Sequence, residues 1–248
     1  IHNQCEWEQV VQFSIMCPEI GQVLQTEDMF VLVKLLIEAA GHRAVFAHNL
    51  FAGKIVYIAV DSFRQENYDL CRALQTKCDG FIIVATEYIT GDTFNDFHLD
   101  DDDGHYGDRT YWKLRFEGFR VCAPLSRAVW VATELPEQLA AYRALVPPEI
   151  PVLSLPFPHF CTMRRENKDS ERDIDTFFTG TQTKYRTKLQ ETIMSRVSLC
   201  ASNFLPEFLR RHFSDRSKVC LHLRQSANWQ YPSPLRYWYH LNHGDAMI

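Results

Sequence analysis

The sequence predicts an α/β protein made of two Rossmann-like, doubly wound lobes, the second of which is incomplete. Short apolar runs rich in β-branched residues alternate with segments of helical periodicity along the 248 residues, as in parallel α/β proteins. The alternation stops at a proline-rich, then polar stretch and starts again at Ile174. We therefore divide the chain into an amino-terminal lobe (1–158), a connector (159–172) and a carboxyl-terminal lobe (173–248).

The first lobe opens with a predicted strand at 10–16 and a helix that Thr26 can cap and that runs to Ala40, where Gly41 gives a stop signal. We predict neither a helix nor a strand in the mixed segment from Thr86 to Leu125. Alternation and apolar runs predict the other elements of this lobe: strands at 43–47, 55–60, 80–85, 129–132 and 152–155, and helices at 65–76 and 136–145.

The second lobe begins after the prolines of 147–158 and the polar run 164–172. A segment of this composition can make few packing contacts, as is typical of a connector between lobes. Its last residues, 245–248, have the pattern of a further strand with no room to finish. We expect that the chain is part of a longer one, or that another subunit covers this sheet edge in a homo-oligomer. Strands are predicted at 174–179, 197–201 and 219–223, with helices at 184–195, between the last two strands, and after 232–234.

Composition and charge exclude several classes of protein. The net charge of −5 offers no basic excess to follow a nucleic-acid backbone. No apolar run is long enough to cross a bilayer, and the amino end does not resemble a signal peptide. The eight cysteines contain no C-x-x-C motif, and Cys200 and Cys220 lie in apolar runs, so reduced, buried thiols are expected. These features predict a cytoplasmic protein with no membrane span and no nucleic-acid partner.

Two strand–turn–helix segments in the second lobe predict a phosphate ligand. In the first, IDTFFTGTQTKYR (174–186), an apolar strand breaks at Thr-Gly-Thr and leads into a helix whose opening carries Lys184 and Arg186. In the second, the strand 219–223 is followed by a polar loop and a helix that Pro-Ser-Pro opens, with Arg236 in its first turn. Both turns present backbone N–H groups and cations, which favours a nucleotide-type ligand.

The segments DTFFTGTQTKYR and YPSPLRYWYHLNHG resemble the bacterial CgeB-like and related group-one glycosyltransferases of the GT-B fold. The resemblance extends over the whole chain in topology. It implies that the second lobe binds a nucleotide-sugar donor and that the first lobe supplies most contacts to the acceptor. We therefore expect transfer of a sugar from a nucleotide diphosphate to a hydroxyl of a saccharide or other acceptor, without a cofactor or a tightly bound metal.

The resemblance also assigns the donor-site residues. The turn would lie on the diphosphate, with the cations of the following helix neutralising the leaving nucleotide, and Tyr231 and Trp229 stacking on the base. The last helix departs from the family pattern, because 235–243 contains no glutamate and the nearest acid is Asp245. Alternatively, Pro-Ser-Pro is only a helix start and Arg236 is solvated. The donor-site residues are Thr179, Gly180, Thr181, Lys184, Arg186, Arg224, Tyr231, Ser233 and Arg236.

Candidates for the general base lie where strands of the first lobe end. Asp61, Glu87 and Glu134 each follow an apolar strand, and the carboxyl ends of parallel strands face one crevice. The acids could equally serve as first-turn residues that interact with helix dipoles. Glu87 is the first choice because the loop 89–95 beside it could bend towards a substrate. Asp61 and His48, the latter next to Asn49, are further candidates.

No metal site is predicted. The run 100–103, flanked by His98 and His105, has four consecutive acids that point in different directions, as in a solvated loop. His240 and His243 are i, i+3 on the last helix with no third ligand nearby, so they are assigned to its surface. Two other functions stay open: a nucleotide-sugar epimerase-like enzyme, and a non-catalytic binding or scaffold module derived from the same fold.

Overall fold

The computed structural model describes residues 10–16, 20–47, 53, 55–60, 68–95, 108–164, 172–227, 229, 231 and 233–248, with the backbone alone at 20–26 and 60. Within these ranges the chain is a mixed α/β protein with a six-stranded and a three-stranded parallel sheet, both flanked by helices. Among the described helices, none combines the length and apolar character that a bilayer crossing requires.

The six-stranded sheet holds the first part of the chain. Its strand order is β2-β1-β3-β4-β7-β8, and every neighbouring pair is parallel. The strands are β1 (Gln12–Met16), β2 (Arg43–Ala47), β3 (Val56–Val60), β4 (Phe81–Ala85), β7 (Ala128–Val131) and β8 (Val152–Ser154), and β5 (Ile89–Thr90) and β6 (Thr93–Phe94) form a short antiparallel hairpin. The helices are α1 (Ile20–Ala39), α2 (Tyr68–Lys77), α3 (Arg109–Cys122) and α4 (Pro136–Leu145).

The core lies on both faces of this sheet. All five residues of β4 are buried, because successive side chains point to opposite faces and helices cover each face. Ile82 packs in the cluster that contains Leu32 of α1, whereas Ile83 packs in the cluster that contains Phe119 of α3. Full burial of one such side chain contributes about 1.5 to 3 kcal/mol to folding. The sheet is therefore a rigid support for loops at its carboxyl edge.

The three-stranded sheet holds the last part of the chain. It has the order β10-β9-β11, and the segment after the last helix pairs beside β11, where Cys220 N donates to Ala246 O at 2.8 Å and Ile248 N donates to Cys220 O at 3.1 Å. Its strands and helices are β9 (Ile174–Thr179), α5 (Lys184–Met194), β10 (Leu199–Ser202), α6 (Glu207–Arg216), β11 (Ser217–Cys220) and α7 (Pro234–His243).

Helix α7 packs against the first sheet as well as the second. Trp238 and Tyr239 belong to the same apolar cluster as Ile15 of β1, and Trp238 Nε1 donates to Pro158 O at 2.8 Å. Because His240 of the same helix lies next to Cys220 of β11, α7 contacts both sheets. The division into lobes at 1–158 and 173–248 stays a prediction.

Two predictions about the helices were wrong. Helix α1 begins at Ile20 and not after Thr26, so Thr26 lies inside the helix. Helix α3, which the sequence analysis missed, occupies part of the mixed segment and buries Trp112, Phe116 and Phe119 at i, i+4 and i+7. Its start is defined by Asp108, whose side chain accepts from Thr110 N.

Candidate functional site

The carboxyl ends of β9 and β11 lie side by side where the direction of strand addition reverses. From β9 the chain passes through α5 to β10 on one side, and then through α6 to β11 on the other side. Open α/β sheets bind ligands outside the carboxyl ends of strands at such a reversal. The turn 179–181 and the segment after β11 are thus placed where a ligand is expected.

A cleft of about 270 Å³ opens at this edge, between the two sheets. The six-stranded side contributes Asn95 and Arg115 to its wall. Of the residues that the sequence analysis selected, the cleft brings together Glu87, Thr181, Arg186, Arg224, Ser233 and Arg236. Thr179 and Gly180 line an adjacent cavity of about 50 Å³ that Arg236 shares, and Lys184 lies exposed at the first residue of α5.

The guanidinium of Arg236 is buried, although the residue as a whole is partly exposed, and one of its nitrogens has no acceptor among the described residues. Its Nη1 is inaccessible and makes no hydrogen bond with the described residues. The guanidinium lies over the ring of Phe178, with Cζ 5.3 Å from the centroid, and a Cβ atom on Gly180 would come within 2.6 Å of Nη2. Burial lowers the pKa of Arg236 to about 10, which still leaves it charged at neutral pH. The alternative of a solvated Arg236 is therefore excluded.

Arg186 shapes the cleft by cross-linking its two turns. Its Nε and Nη2 donate to Leu223 O at 3.0 and 2.7 Å, and its Nη1 donates to Thr181 O at 2.7 Å. These bonds join the turn after β9 to the segment after β11. The guanidinium thus has a structural role, and its predicted contact with the leaving nucleotide stays a prediction that rests on its charge.

The turn after β9 is held in one conformation by hydrogen bonds to neighbouring loops. Thr179 Oγ1 donates to Asn203 O at 2.8 Å, and Gly180 has φ +147°, a value that favours glycine. Thr183 is the N-cap of α5: its Oγ1 accepts from Arg186 N at 3.2 Å and donates to Gln225 O at 2.6 Å. The N-terminus of α5 is thereby fixed beside the cleft.

His222 lies among three arginines and was not selected from the sequence. Burial and, to a smaller extent, the positive charges of Arg236, Arg186 and Arg224 together lower its pKa to about 4. Its Nε2 accepts from Ser233 N at 3.1 Å, which requires a neutral ring. In the sequence, His222 fell within the predicted strand 219–223, although β11 ends at Cys220. Nothing in the local pattern marked it as a site residue, because only the fold surrounds it with cations.

An aromatic group lies beside the cleft. Tyr231 stacks on Tyr88, with centroids 4.4 Å apart and planes at 18°, and Trp229 meets Tyr88 edge-on at 6.2 Å. Tyr88 and Tyr231 line a second cavity of about 610 Å³, whereas Trp229 lines the 270 Å³ cleft. The predicted stacking of Tyr231 on a base can therefore use only the face that Tyr88 leaves open.

Glu87, the first choice for the general base, is held by two neighbours. Its carboxylate forms an ion pair with Arg115 at 3.0 Å and accepts a hydrogen bond from Asn95 Nδ2. Because these two contacts already engage the carboxylate, the geometry favours a positioning role for Glu87. Glu134 lines the 610 Å³ cavity. Asp61, His48 and Asn49 lie outside the described residues.

The prediction that the histidines of α7 lie on the surface of the helix was wrong. His240 and His243 are 3% and 1% exposed, because this helix is covered on the side that faces the two sheets. His240 Nδ1 lies 2.8 Å from Asp245 Oδ2. The acidic run 100–103 and its flanking histidines lie outside the described residues.

Comparison with known proteins assigns no family. No protein-family model matches the chain, and no curated protein matches it. We therefore infer a function from the geometry of the cleft.

Proposed function

We propose that the chain is a GT-B-like glycosyltransferase whose cleft binds the diphosphate of a nucleotide sugar. The observation that carries this proposal is Arg236, a buried guanidinium whose Nη1 makes no hydrogen bond with the described residues. Burying a cation without an acceptor costs several kcal/mol. Phosphate oxygens are anionic acceptors that match such a group and would offset this cost.

The chemistry follows from the charges around the cleft. Transfer of the sugar to an acceptor hydroxyl leaves negative charge on the departing nucleoside diphosphate. Arg236, Arg224 and Arg186 line the cleft, and α5 begins beside it at Lys184. Fixed cations and a helix N-terminus stabilise developing negative charge. This supports a reaction in which no Mg²⁺ or Mn²⁺ is needed to hold the diphosphate.

The acceptor would occupy the 610 Å³ cavity next to the aromatic group. Its wall is mainly apolar and aromatic, with Trp238 and Phe157, and it also carries Glu134 and His159. Sugar rings and other hydroxyl compounds with an apolar face pack on such walls. Asp61, the next residue in the sequence after β3, remains a candidate for the general base, although it lies outside the described residues.

A non-catalytic nucleotide-binding module is the second candidate. The ion pair between Glu87 and Arg115 favours it, because the acid best placed in the cleft has its charge already compensated. Such a module would bind the same diphosphate through Arg236 without transferring a sugar.

A nucleotide panel tests both candidates. Thermal unfolding of the full chain would be followed with nucleoside mono- and diphosphates of four bases and with the corresponding nucleotide sugars. A ligand that binds the native state at 100 times its Kd adds about 2.7 kcal/mol of stability. We expect diphosphates to raise Tm more than monophosphates, with no further gain from Mg²⁺ or Mn²⁺.

Release of nucleoside diphosphate from the stabilising nucleotide sugar then separates the two functions. Release that rises with a hydroxyl acceptor supports the transferase. Binding without release supports the module, and the absence of any effect of nucleotides on Tm would contradict both.

A further inference from the structure

Three buried side chains with metal-ligating chemistry converge beneath α7. They are Cys220 at the end of β11, His240 in the last turn of α7 and Asp245 just after that helix. Their ligand atoms all lie within 4.8 Å of one another, and the residues are 2%, 3% and 6% exposed. In the part of the chain that the structure describes, this is the one group of three or more such residues close enough to share an ion.

Backbone hydrogen bonds hold the three residues in place. Cys220 is paired on both sides of its peptide with the segment after α7, through Ala246 O and Ile248 N. Gly244 ends α7 with φ +80°, a conformation that turns the chain back at low cost only for glycine. Asp245 N then donates to His240 O at 3.0 Å. Ligands fixed in this way lose little entropy when they bind an ion.

We propose that Cys220, His240 and Asp245 bind one divalent cation of the zinc type. A thiolate, an imidazole and a carboxylate are the ligands that zinc takes in proteins, and a water would complete the tetrahedron. The cation would offset the charge of a thiolate and a carboxylate, which are costly to bury. Cys220 loses its proton when it binds, so zinc affinity falls as the pH is lowered.

The ion would lie outside the 270 Å³ cleft. None of the three residues lines the 270 Å³ cleft, so phosphate chemistry there is left to the arginines. His240 lies one turn after Arg236 on α7 and lines the 50 Å³ cavity beside it. Zinc would thus fasten α7 to β11 beneath Arg236. The proposal does not depend on the identity of the nucleotide or on transfer activity.

Cobalt and zinc binding to the purified full chain test this site. After dialysis against a chelator, we expect the chain to take up one equivalent of Zn²⁺ in competition with a chromophoric indicator. Co²⁺ in the same site should give a thiolate-to-metal charge-transfer band. Loss of an outer partner of a metal ligand costs about 10- to 100-fold in affinity, so removal of a direct ligand in C220S should cost at least about 100-fold and abolish the band.

The matched control is C161S, because Cys161 is an exposed thiol that is not a member of this cluster; it should keep both the affinity and the band. If C220S fails to fold, D245N in the same titration and the cobalt band of the unmodified chain decide the question. A chain that binds neither Zn²⁺ nor Co²⁺, or a band that persists in C220S, would show that His240 and Asp245 are only a buried hydrogen-bonded pair.

Discussion

At the scale of single residues, Arg236 is the side chain on which the donor site depends most. Replacement by Met keeps an unbranched apolar stem and removes the guanidinium group with its charge. We expect R236M to lose about 1.5 to 3 kcal/mol of nucleoside diphosphate affinity, the range for hydrogen bonds to charged groups. The free energy of unfolding of the free protein should rise, because a buried cation without an acceptor is removed.

Titration calorimetry and denaturant unfolding of the same samples measure the two effects. R196M, at an exposed arginine after α5, is the control and should change neither quantity. A variant R236M that keeps its affinity and loses stability would assign Arg236 a structural role instead.

Gly180 tests the same site through the backbone. A methyl group there would meet Arg236 Nη2 at 2.6 Å, and φ is +147°. We expect G180A to displace the guanidinium, to weaken nucleoside diphosphate binding about as much as R236M, and to lower stability by about 1 kcal/mol or more.

The control for G180A is G53A. Gly53 has the similar φ of +144° but nothing within 4 Å of the added methyl group, so it should lose stability alone. Equal affinities of G180A and the unmodified chain, measured by calorimetry, would show that the turn does not shape the phosphate site.

His222 makes stability depend on pH. Its pKa in the folded protein is about 4, below the ordinary value of 6.5, mainly because it is buried and then because arginines surround it. Between these values the unfolded chain binds the proton and the folded chain does not, so stability falls as the pH drops from about 6.5 towards 4.

We expect H222Q to remove about 1 to 3 kcal/mol of this loss, because glutamine can still accept from Ser233 N and does not titrate. Urea unfolding at several pH values measures how the free energy of unfolding changes with pH in both proteins. Equal changes in the two proteins would contradict the assignment of His222 as a neutral group with a lowered pKa.

At the scale of elements, Arg210 joins α6 to α1. Its Nη2 lies 2.6 Å from Asp28 and 3.4 Å from Glu27, and only 8% of its side chain is exposed. Its Cζ lies 4.1 Å from the ring centroid of Tyr239 on α7. Three helices therefore meet at one guanidinium.

Removing this cation leaves two partly buried carboxylates uncompensated. We expect R210M to lower the free energy of unfolding by about 3 kcal/mol, the low end of the range for buried pairs, since both acids keep some exposure. R211M, the next residue on α6, is the control: Arg211 pairs with Glu207 at the surface and should contribute no more than about 1 kcal/mol. Equal unfolding midpoints for the two variants would contradict this account of the contact.

Elements with a strong local signal were predictable from the sequence. β2 and α4 were predicted with the observed bounds, 43–47 and 136–145, because a short apolar strand and a proline at N1 leave little choice. Helix α3 was missed because its core side chains are interrupted by charged residues and its cap, Asp108, follows an acidic run. The early start of α1 has no capping residue that a sequence pattern could recognise.

At the scale of the whole molecule, the mixed α/β class with parallel sheets followed from the sequence, whereas much of the site did not. The turn after β9 and Arg236 were selected because strand, turn and cation recur in one order. The ion pair of Glu87 with Arg115 joins residues 28 positions apart, and Arg115 lies on α3, the helix that was not predicted. His240 comes close to Cys220 only when α7 packs on β11. Such tertiary contacts carry no local signal, so sequence periodicity could not reveal them.

The central claim is that the cleft between the two sheets binds a nucleoside diphosphate through Arg236. A crystal structure of the full chain with the diphosphate that raises Tm most tests it directly. We predict phosphate oxygens within hydrogen-bond distance of Arg236 Nη1, next to the turn 179–181 and the start of α5. A diphosphate bound elsewhere, with Arg236 Nη1 still lacking an acceptor, would contradict the claim.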